Sequence, residues 1–175
     1  MTALMTVESG PDASERFEEL YRSCASDVYA YVASLLRDRA AAEDVTSQAF
    51  ERAYRRRALF DIRRGTPRAW LFTIARNAAL DELRRRRRVG ALLRDVADEG
   101  GEPDHDLDPL LADRRLLVRE GLTSLSPADR EVILLKFLGR LSNAELARVL
   151  GCSESNAGTR LHRAIVRLRE ACGVT

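Results

Sequence analysis

Apolar side chains recur at helical spacing through the N-terminal half of the chain and predict three helices. The first follows a capping-box pattern of Asp12 and Glu15. Its inward positions are Phe17, Leu20, Tyr21, Cys24, Val28, Val32 and Leu35. The second runs from about Arg39 to Arg57, with Ala42, Val45, Ala49, Ala53 and Tyr54 inward. The third begins with Thr66 as N-cap and Pro67 at the first helical position, and it continues to Arg88.

The helical periodicity stops between Val89 and Leu107, where glycine, proline and acidic residues dominate, and it resumes in the C-terminal half. Asp108-Pro109 and Ser126-Pro127 each mark a helix start. No segment alternates apolar and polar residues as a strand would. The sequence therefore predicts an all-α protein of two small helical domains joined by a flexible acidic linker. The predicted parts are a disordered tail (1–13), a first domain (14–88), the linker (89–108) and a second domain (109–172).

The segment from Ser142 to Glu170 predicts a helix-turn-helix that binds DNA. Ser142 and Glu145 form a capping box, the first helix ends at Gly151, and Ser153 caps the next. The inward positions of that last helix are Ala157, Leu161, Ala164, Ile165 and Leu168. Its outward positions, Ser155, Gly158, Thr159, His162 and Arg163, can then face a major groove. The alternative is an ordinary helical hairpin whose outer face is polar because it is exposed to solvent.

Charge is strongly segregated along the chain although the net charge is only +2. Residues 52–94 hold fourteen arginines against three acidic residues, whereas residues 95–108 hold seven acidic residues and no lysine or arginine. A basic block beside an acidic one predicts one polyanionic and one cationic partner. The three cysteines are too widely spaced for a disulfide framework or a zinc site, and no apolar run would span a membrane. We expect a soluble cytoplasmic protein without metal or cofactor.

Both halves of the chain contain stretches that resemble the bacterial sigma factors of the extracytoplasmic-function (ECF) class, which belong to the sigma-70 family. Residues 42–56 (AEDVTSQAFERAYRR) and 67–88 (PRAWLFTIARNAALDELRRRRR) are similar to the second conserved sigma region. Residues 122–153, followed by TRLHRA, are similar to the fourth. The resemblance implies a dissociable subunit that brings core RNA polymerase to promoters, and it covers about Phe17 to Ala171.

The resemblance also implies roles for residues of the first domain. The second helix would dock on a coiled coil of the largest polymerase subunit through Asp44, Gln48 and Glu51, although spacing alone fits a solvated helix face equally well. The following loop and helix would bind the downstream (−10) promoter element. The matching positions are Arg52, Phe60, Asp61 to Gly65 with Arg63 and Arg64, and Asn77, followed by phosphate contacts from the run Arg84 to Arg88, among them Arg84, Arg85 and Arg88. Without the resemblance, Phe60 and Trp70 would both be assigned to the core, and Trp70 is kept there.

In the second domain, the resemblance implies binding of the upstream (−35) element and of the polymerase flap. The matching DNA-binding positions are Lys136, Ser155, Gly158, Thr159, Arg160, His162 and Arg163. A glycine at position 158 either allows a close approach to DNA or weakens the helix. His162 is either a DNA contact or a surface residue. The acidic linker either passes through the polymerase as a charge mimic of RNA or is a solvated spacer.

A family member of this kind usually has a cognate anti-sigma factor, which we expect here as a further partner. The main alternative is an autonomous helix-turn-helix regulator that binds DNA as a dimer, but it leaves the IARN helix and the arginine block unexplained. An enzyme is disfavoured because the sequence has no P-loop, GxGxxG, HExxH or GxSxG motif and only two histidines.

Overall fold

The computed structural model describes residues 11–61, 63, 65–92 and 109–173. These residues form helices and connecting turns and include no strand, as the periodicity predicts. The helices are α1 (Pro11–Leu36), α2 (Arg39–Arg55), α3 (Pro67–Leu92), α4 (Pro109–Ser124), α5 (Pro127–Phe137), α6 (Asn143–Leu150) and α7 (Glu154–Ala171), with a 3-10 turn at Arg57–Leu59. Within the described ranges, no helix has both the length and the apolarity needed to cross a bilayer.

The caps at Thr66, Ser126, Ser142 and Ser153 are those that the sequence predicts, whereas Asp12, predicted to cap the first helix, lies within α1. The Thr66 hydroxyl accepts a hydrogen bond from the Ala69 N–H at 3.1 Å. Ser126 and Ser153 cap α5 and α7 in the same way. Ser142 and Glu145 form both halves of a capping box on α6, which ends at Gly151 in the left-handed conformation, with φ of 66°. Each cap satisfies backbone groups that would otherwise lack a partner, so the starts of α5, α6 and α7 are fixed locally.

Helices α1, α2 and α3 pack around a small core in the N-terminal half. The predicted inward positions Cys24, Val28 and Val32 are buried, but Tyr21 and Tyr54 are 49% and 44% exposed, so their assignment to the core is wrong. Tyr21 packs edge-on against Phe50 with ring centroids 4.8 Å apart. One part of each tyrosine ring covers apolar surface while the rest stays in water.

Three helix ends in the N-terminal half differ from the prediction. Helix α1 begins at Pro11, inside the predicted tail (1–13). Helix α2 ends at Arg55 rather than Arg57, because the chain tightens into the 3-10 turn that follows. Helix α3 continues past Arg88 to Leu92, into the segment predicted to be linker. The predicted tail up to Gly10, loop residues Ile62 and Arg64, and the remainder of the linker, 93–108, lie outside the described residues.

The two halves are packed against each other, which the sequence does not predict. Helix α6 lies on α3, and α5 lies against α1. Arg68 of α3 donates hydrogen bonds of 3.0 and 2.6 Å to the carbonyl oxygen of Gly139, in the turn between α5 and α6. Arg76, two turns further along α3, forms an ion pair with Glu131 of α5. One continuous cluster of buried apolar side chains therefore runs through both halves.

Candidate nucleic-acid and protein interfaces

The polar stripe of α2 faces away from the core. Asp44, Gln48 and Glu51 are all exposed, while the opposite positions Ala42 and Ala49 are fully buried. Spacing of three and four residues places the three polar side chains on one helix face. This face is acidic and suits a basic partner surface, as predicted for polymerase docking.

The exposed side of α3 carries Asn77 about two helical turns beyond Trp70, which packs against Phe60. Asn77 is exposed, and Phe60 lies half-buried against Trp70 with ring centroids 5.4 Å apart. Trp70 is also half-buried, so it supports Phe60 from the helix rather than filling the centre of the core. An amide can hydrogen-bond an unpaired base, and an aromatic ring can stack on one. Arg52 and Arg63, two other residues predicted for the downstream element, are also exposed.

The arginine run at the end of α3 is partly neutralised by acids on the same helix. Arg84 pairs with Asp81 at 3.0 Å, and Arg85 donates two hydrogen bonds of 2.7 Å to Glu82. These hydrogen bonds from Arg85 are the largest cause that lowers the pKa of Glu82, to about 2. Exposed ion pairs of this kind contribute little stability, so Arg84 and Arg85 can exchange a carboxylate for a phosphate. Arg88 is exposed as well.

Arg86, in the same run, has a structural role that the sequence does not predict. It donates a 2.8 Å hydrogen bond to Asp38, which is the N-cap of α2. The backbone hydrogen bond from Ala41 is the largest cause that lowers the pKa of Asp38, and Arg86 adds to it. Arg86 therefore joins the end of α3 to the start of α2. The sequence does not predict this contact because Arg86 and Asp38 are 48 residues apart.

The loop before α3 is held by the second half of the chain. The Thr66 hydroxyl donates a 2.6 Å hydrogen bond to Glu145 of α6. Gly65 has φ of 145°, and a Cβ there would lie 2.5 Å from the Arg148 guanidinium. Burial raises the pKa of Glu145, but the hydrogen bonds from Thr66 and Ser142 outweigh it and leave the pKa below its usual value. The end of the predicted base-binding loop thus lies in contact with α6.

Helix α7 exposes the face predicted to enter the major groove. Ala157, Leu161 and Ala164 are buried against the rest of the domain. On the opposite side Ser155, Thr159, His162 and Arg163 are exposed, and Gly158 and Arg160 are half-exposed. Lys136, at the end of α5, is also half-exposed and donates a 3.1 Å hydrogen bond to Asn143 at the start of α6. The arrangement offers hydrogen-bond donors on the exposed face of one helix, as groove binding requires.

Gly158 lies within an unbroken helix, and a Cβ there would meet nothing within 4 Å. We expect Gly158→Ala to raise the free energy of unfolding by about 1 kcal/mol, because alanine loses less backbone entropy in a helix. Urea denaturation would measure it. The matched control, Gly151→Ala, should instead destabilise the protein, because Gly151 has φ of 66°. Loss of affinity for upstream-element DNA in Gly158→Ala would indicate that DNA approaches the backbone there, and no gain in stability would contradict the prediction.

Both halves of the chain match known protein families. Residues 20–89 match the model of Sigma-70 region 2, and residues 115–168 match that of Sigma-70, region 4. The ECF RNA polymerase sigma factor SigL of Mycobacterium tuberculosis is 34% identical over 177 residues, which cover 95% of this chain and 97% of SigL. The sigma factor CarQ of Myxococcus xanthus is 35% identical over 92% of this chain and 91% of its own.

The chain belongs to the ECF RNA polymerase sigma factors. This sigma factor acts with RNA polymerase on promoter DNA in promoter-specific initiation of transcription, as the family does. The family is one of non-enzymatic initiation factors. An autonomous dimeric regulator is not favoured, because region 2 matches as well as the helix-turn-helix of region 4.

Solved structures support the same fold. The sigma factor RpoE in its complex with the anti-sigma factor NepR from Bartonella quintana aligns with a TM-score of 0.78. That alignment covers 91% of this sigma factor and 98% of RpoE at 24% sequence identity. CnrH, solved with the cytosolic domain of CnrY, aligns with a TM-score of 0.65 over 94% of this chain and 90% of CnrH, at 23% identity. At these identities the likeness supports the fold alone.

Proposed function

We propose that this sigma factor recognises promoters through two separate surfaces, one in each half. The single observation that supports the proposal is that two helices each bury one side and expose a polar face on the other. One face is the surface of α3 around Asn77, and the other is the outer face of α7 around Thr159 and Arg163.

The face around Asn77 and Phe60 would bind the downstream element as unpaired DNA. The exposed arginines at the end of α3 would add phosphate contacts, which contribute affinity but little sequence information. The face of α7, with Lys136 beside it, would bind the upstream element in its major groove, where side-chain donors distinguish base pairs. The acidic stripe of α2 would hold the sigma factor on the coiled coil of the largest polymerase subunit, and region 4 would contact the flap.

A restraint on the free protein is the second part of the proposal. The relative RpoE was solved with the anti-sigma factor NepR, and CnrH with part of CnrY. A cognate anti-sigma factor for this chain would keep it from polymerase until a signal arrives. Because its partner is RNA polymerase, we place its action in the cytoplasm.

Run-off transcription tests the proposed function. Purified chain added to core polymerase should start transcripts from a restricted set of sites on fragmented genomic DNA, and sequencing of their 5′ ends should give a shared element at −10 and another at −35. Core polymerase alone and the chain alone are the controls. A chain that neither co-elutes with core nor produces defined starts would contradict the proposal.

A further inference from the structure

The ion pair between Arg76 and Glu131 is the most enclosed charge contact between the two halves. The guanidinium Nε and Nη2 donate to the two carboxylate oxygens at 2.9 and 3.1 Å. The side chains are only 23% and 9% exposed. A planar guanidinium fork binds a carboxylate and a phosphate with the same two-bond geometry. The carboxylate of Glu131 therefore occupies a position in which phosphate oxygens would fit.

The neighbouring Arg68 differs from Arg76 in how its charge is balanced. Arg68 forms an ion pair with Asp27, which lies on α1 in the same half of the chain. Arg76 pairs with Glu131 of the other half, and the part of the chain that the structure describes gives it no second carboxylate. Separation of the halves would leave Arg68 neutralised and would free Arg76.

One of the two buried hydroxyls that have no hydrogen-bond partner among the described residues lies near this ion pair. The hydroxyl of Tyr31 is buried and has no hydrogen-bond partner among the described residues. Burial raises the pKa of Tyr31, and the nearby Glu131 raises it further, so the hydroxyl stays protonated. A buried polar group without a partner destabilises the state that buries it. Glu131 of the second half lies near this hydroxyl but accepts no hydrogen bond from it.

Promoter binding requires the halves to separate. Elements centred about 25 base pairs apart lie roughly 85 Å apart along B-form DNA. In the closed chain α6 lies directly on α3, and a helix of 26 residues such as α3 spans only about 39 Å. The closed chain cannot reach both elements, so the contact between Arg76 and Glu131 must break when both are bound.

We propose that Arg76 is a binding site for a DNA backbone phosphate and that Glu131 occupies this site in the closed chain. The proposal rests on the proposed function and extends it to a residue outside the predicted DNA-binding set. Arg76 directly precedes the exposed Asn77 on α3 and, about 100° around the helix, faces the side that region 4 covers. Separation of the halves would open that side to the strand that Asn77 contacts. Region 4 thereby competes with promoter DNA for α3. Arg76 binds Glu131 when the two halves are packed together and a DNA phosphate when they are separated.

The test compares two variants that both lack the ion pair. Glu131→Gln keeps the guanidinium of Arg76, whereas the double variant Glu131→Gln with Arg76→Ala removes it without leaving a buried carboxylate alone. A short mixed-sequence single-stranded DNA is the probe, because a phosphate contact needs no particular sequence. We expect Glu131→Gln to bind it roughly tenfold more tightly than the wild type, and the double variant to lose that gain. The salt dependence of Glu131→Gln should be steeper than that of the double variant by about 0.7 in log–log slope.

A control for charge alone combines Glu131→Gln with Arg22→Ala, which removes an exposed arginine of α1; this variant should keep most of the gain. Equal binding by Glu131→Gln and the Arg76→Ala double variant would overturn the proposal, as would unchanged binding in Glu131→Gln. If Glu131→Gln loses its helical circular dichroism, the same DNA-binding comparison is made with Glu131→Asp. The shorter side chain of aspartate should not reach both guanidinium nitrogens of Arg76. Run-off transcription by the wild type is measured alongside. If the wild type supports run-off transcription but Glu131→Gln binds DNA no more tightly than the wild type, the phosphate site at Arg76 is wrong while the proposed function holds.

Discussion

Replacing Phe72 by alanine is expected to lower the free energy of unfolding by about 3–5 kcal/mol. Phe72 is fully buried, and its ring meets Tyr31 edge-on at 5.9 Å between centroids. Gly139 of the second half covers it, since a Cβ there would lie 3.0 Å from the ring. The cavity left by alanine would therefore weaken both the N-terminal core and its contact with region 4. Urea denaturation followed by circular dichroism measures the loss, and thermal unfolding should move down by roughly 6–20 °C.

The matched control for Phe72→Ala is Phe137→Ala, the same substitution at the end of α5. Phe137 is 59% exposed, so its loss should change the unfolding free energy by no more than about 0.5 kcal/mol. If Phe72→Ala lowers the free energy of unfolding as little as Phe137→Ala does, Phe72 does not lie beneath the turn of the second half. That result would contradict the described packing.

Asp44→Lys is expected to weaken binding to core polymerase by at least about tenfold, because like charges placed against each other across an interface cost several kcal/mol. Asp44 is exposed on the acidic stripe of α2, which we propose faces basic residues of the polymerase. Lysine has a higher helix propensity than aspartate, so α2 itself should be preserved. Titration of labelled protein with core polymerase, with circular dichroism as a check on folding, measures the effect.

Glu43→Lys provides the control for Asp44→Lys. Glu43 is also exposed, but it lines the groove between α1 and α2 and pairs with Arg39 at 3.1 Å. Since an exposed ion pair of this kind contributes little, the variant should fold normally and bind core polymerase nearly as the wild type does. Equal loss of binding in both variants would argue for a general charge effect, and normal binding by Asp44→Lys would remove the stripe from the polymerase interface.

The core of the N-terminal half shows where periodicity alone goes wrong. The spacing placed Tyr21 and Tyr54 inward, whereas both are substantially exposed, and it did not select Tyr31, which is fully buried. The apolar stripe of a helix shows which side of the helix faces the core, but its edges are uncertain by about one residue position. Whether a position at the edge of the stripe is covered depends on how the neighbouring helix lies.

The arginine run shows a similar limit for charge. Five consecutive arginines suggest a freely available basic patch, but Arg84, Arg85 and Arg86 are paired with acids. Two of those pairs join residues three apart on one helix and could have been predicted from spacing. The pair of Arg86 with Asp38 depends on the packing of α3 against α2.

The sequence by itself determined the helices, their caps, the outward face of α7 and the acidic stripe of α2, because these follow from interactions within about one helical turn. Serine caps, the left-handed Gly151 and the spacing of apolar side chains all act at that range. Only the tertiary structure decided that the two halves of the chain close on each other. The contact between Arg76 and Glu131 joins residues 55 positions apart. Which glutamate a given arginine meets is set by the packing of whole helices, and no local pattern encodes it.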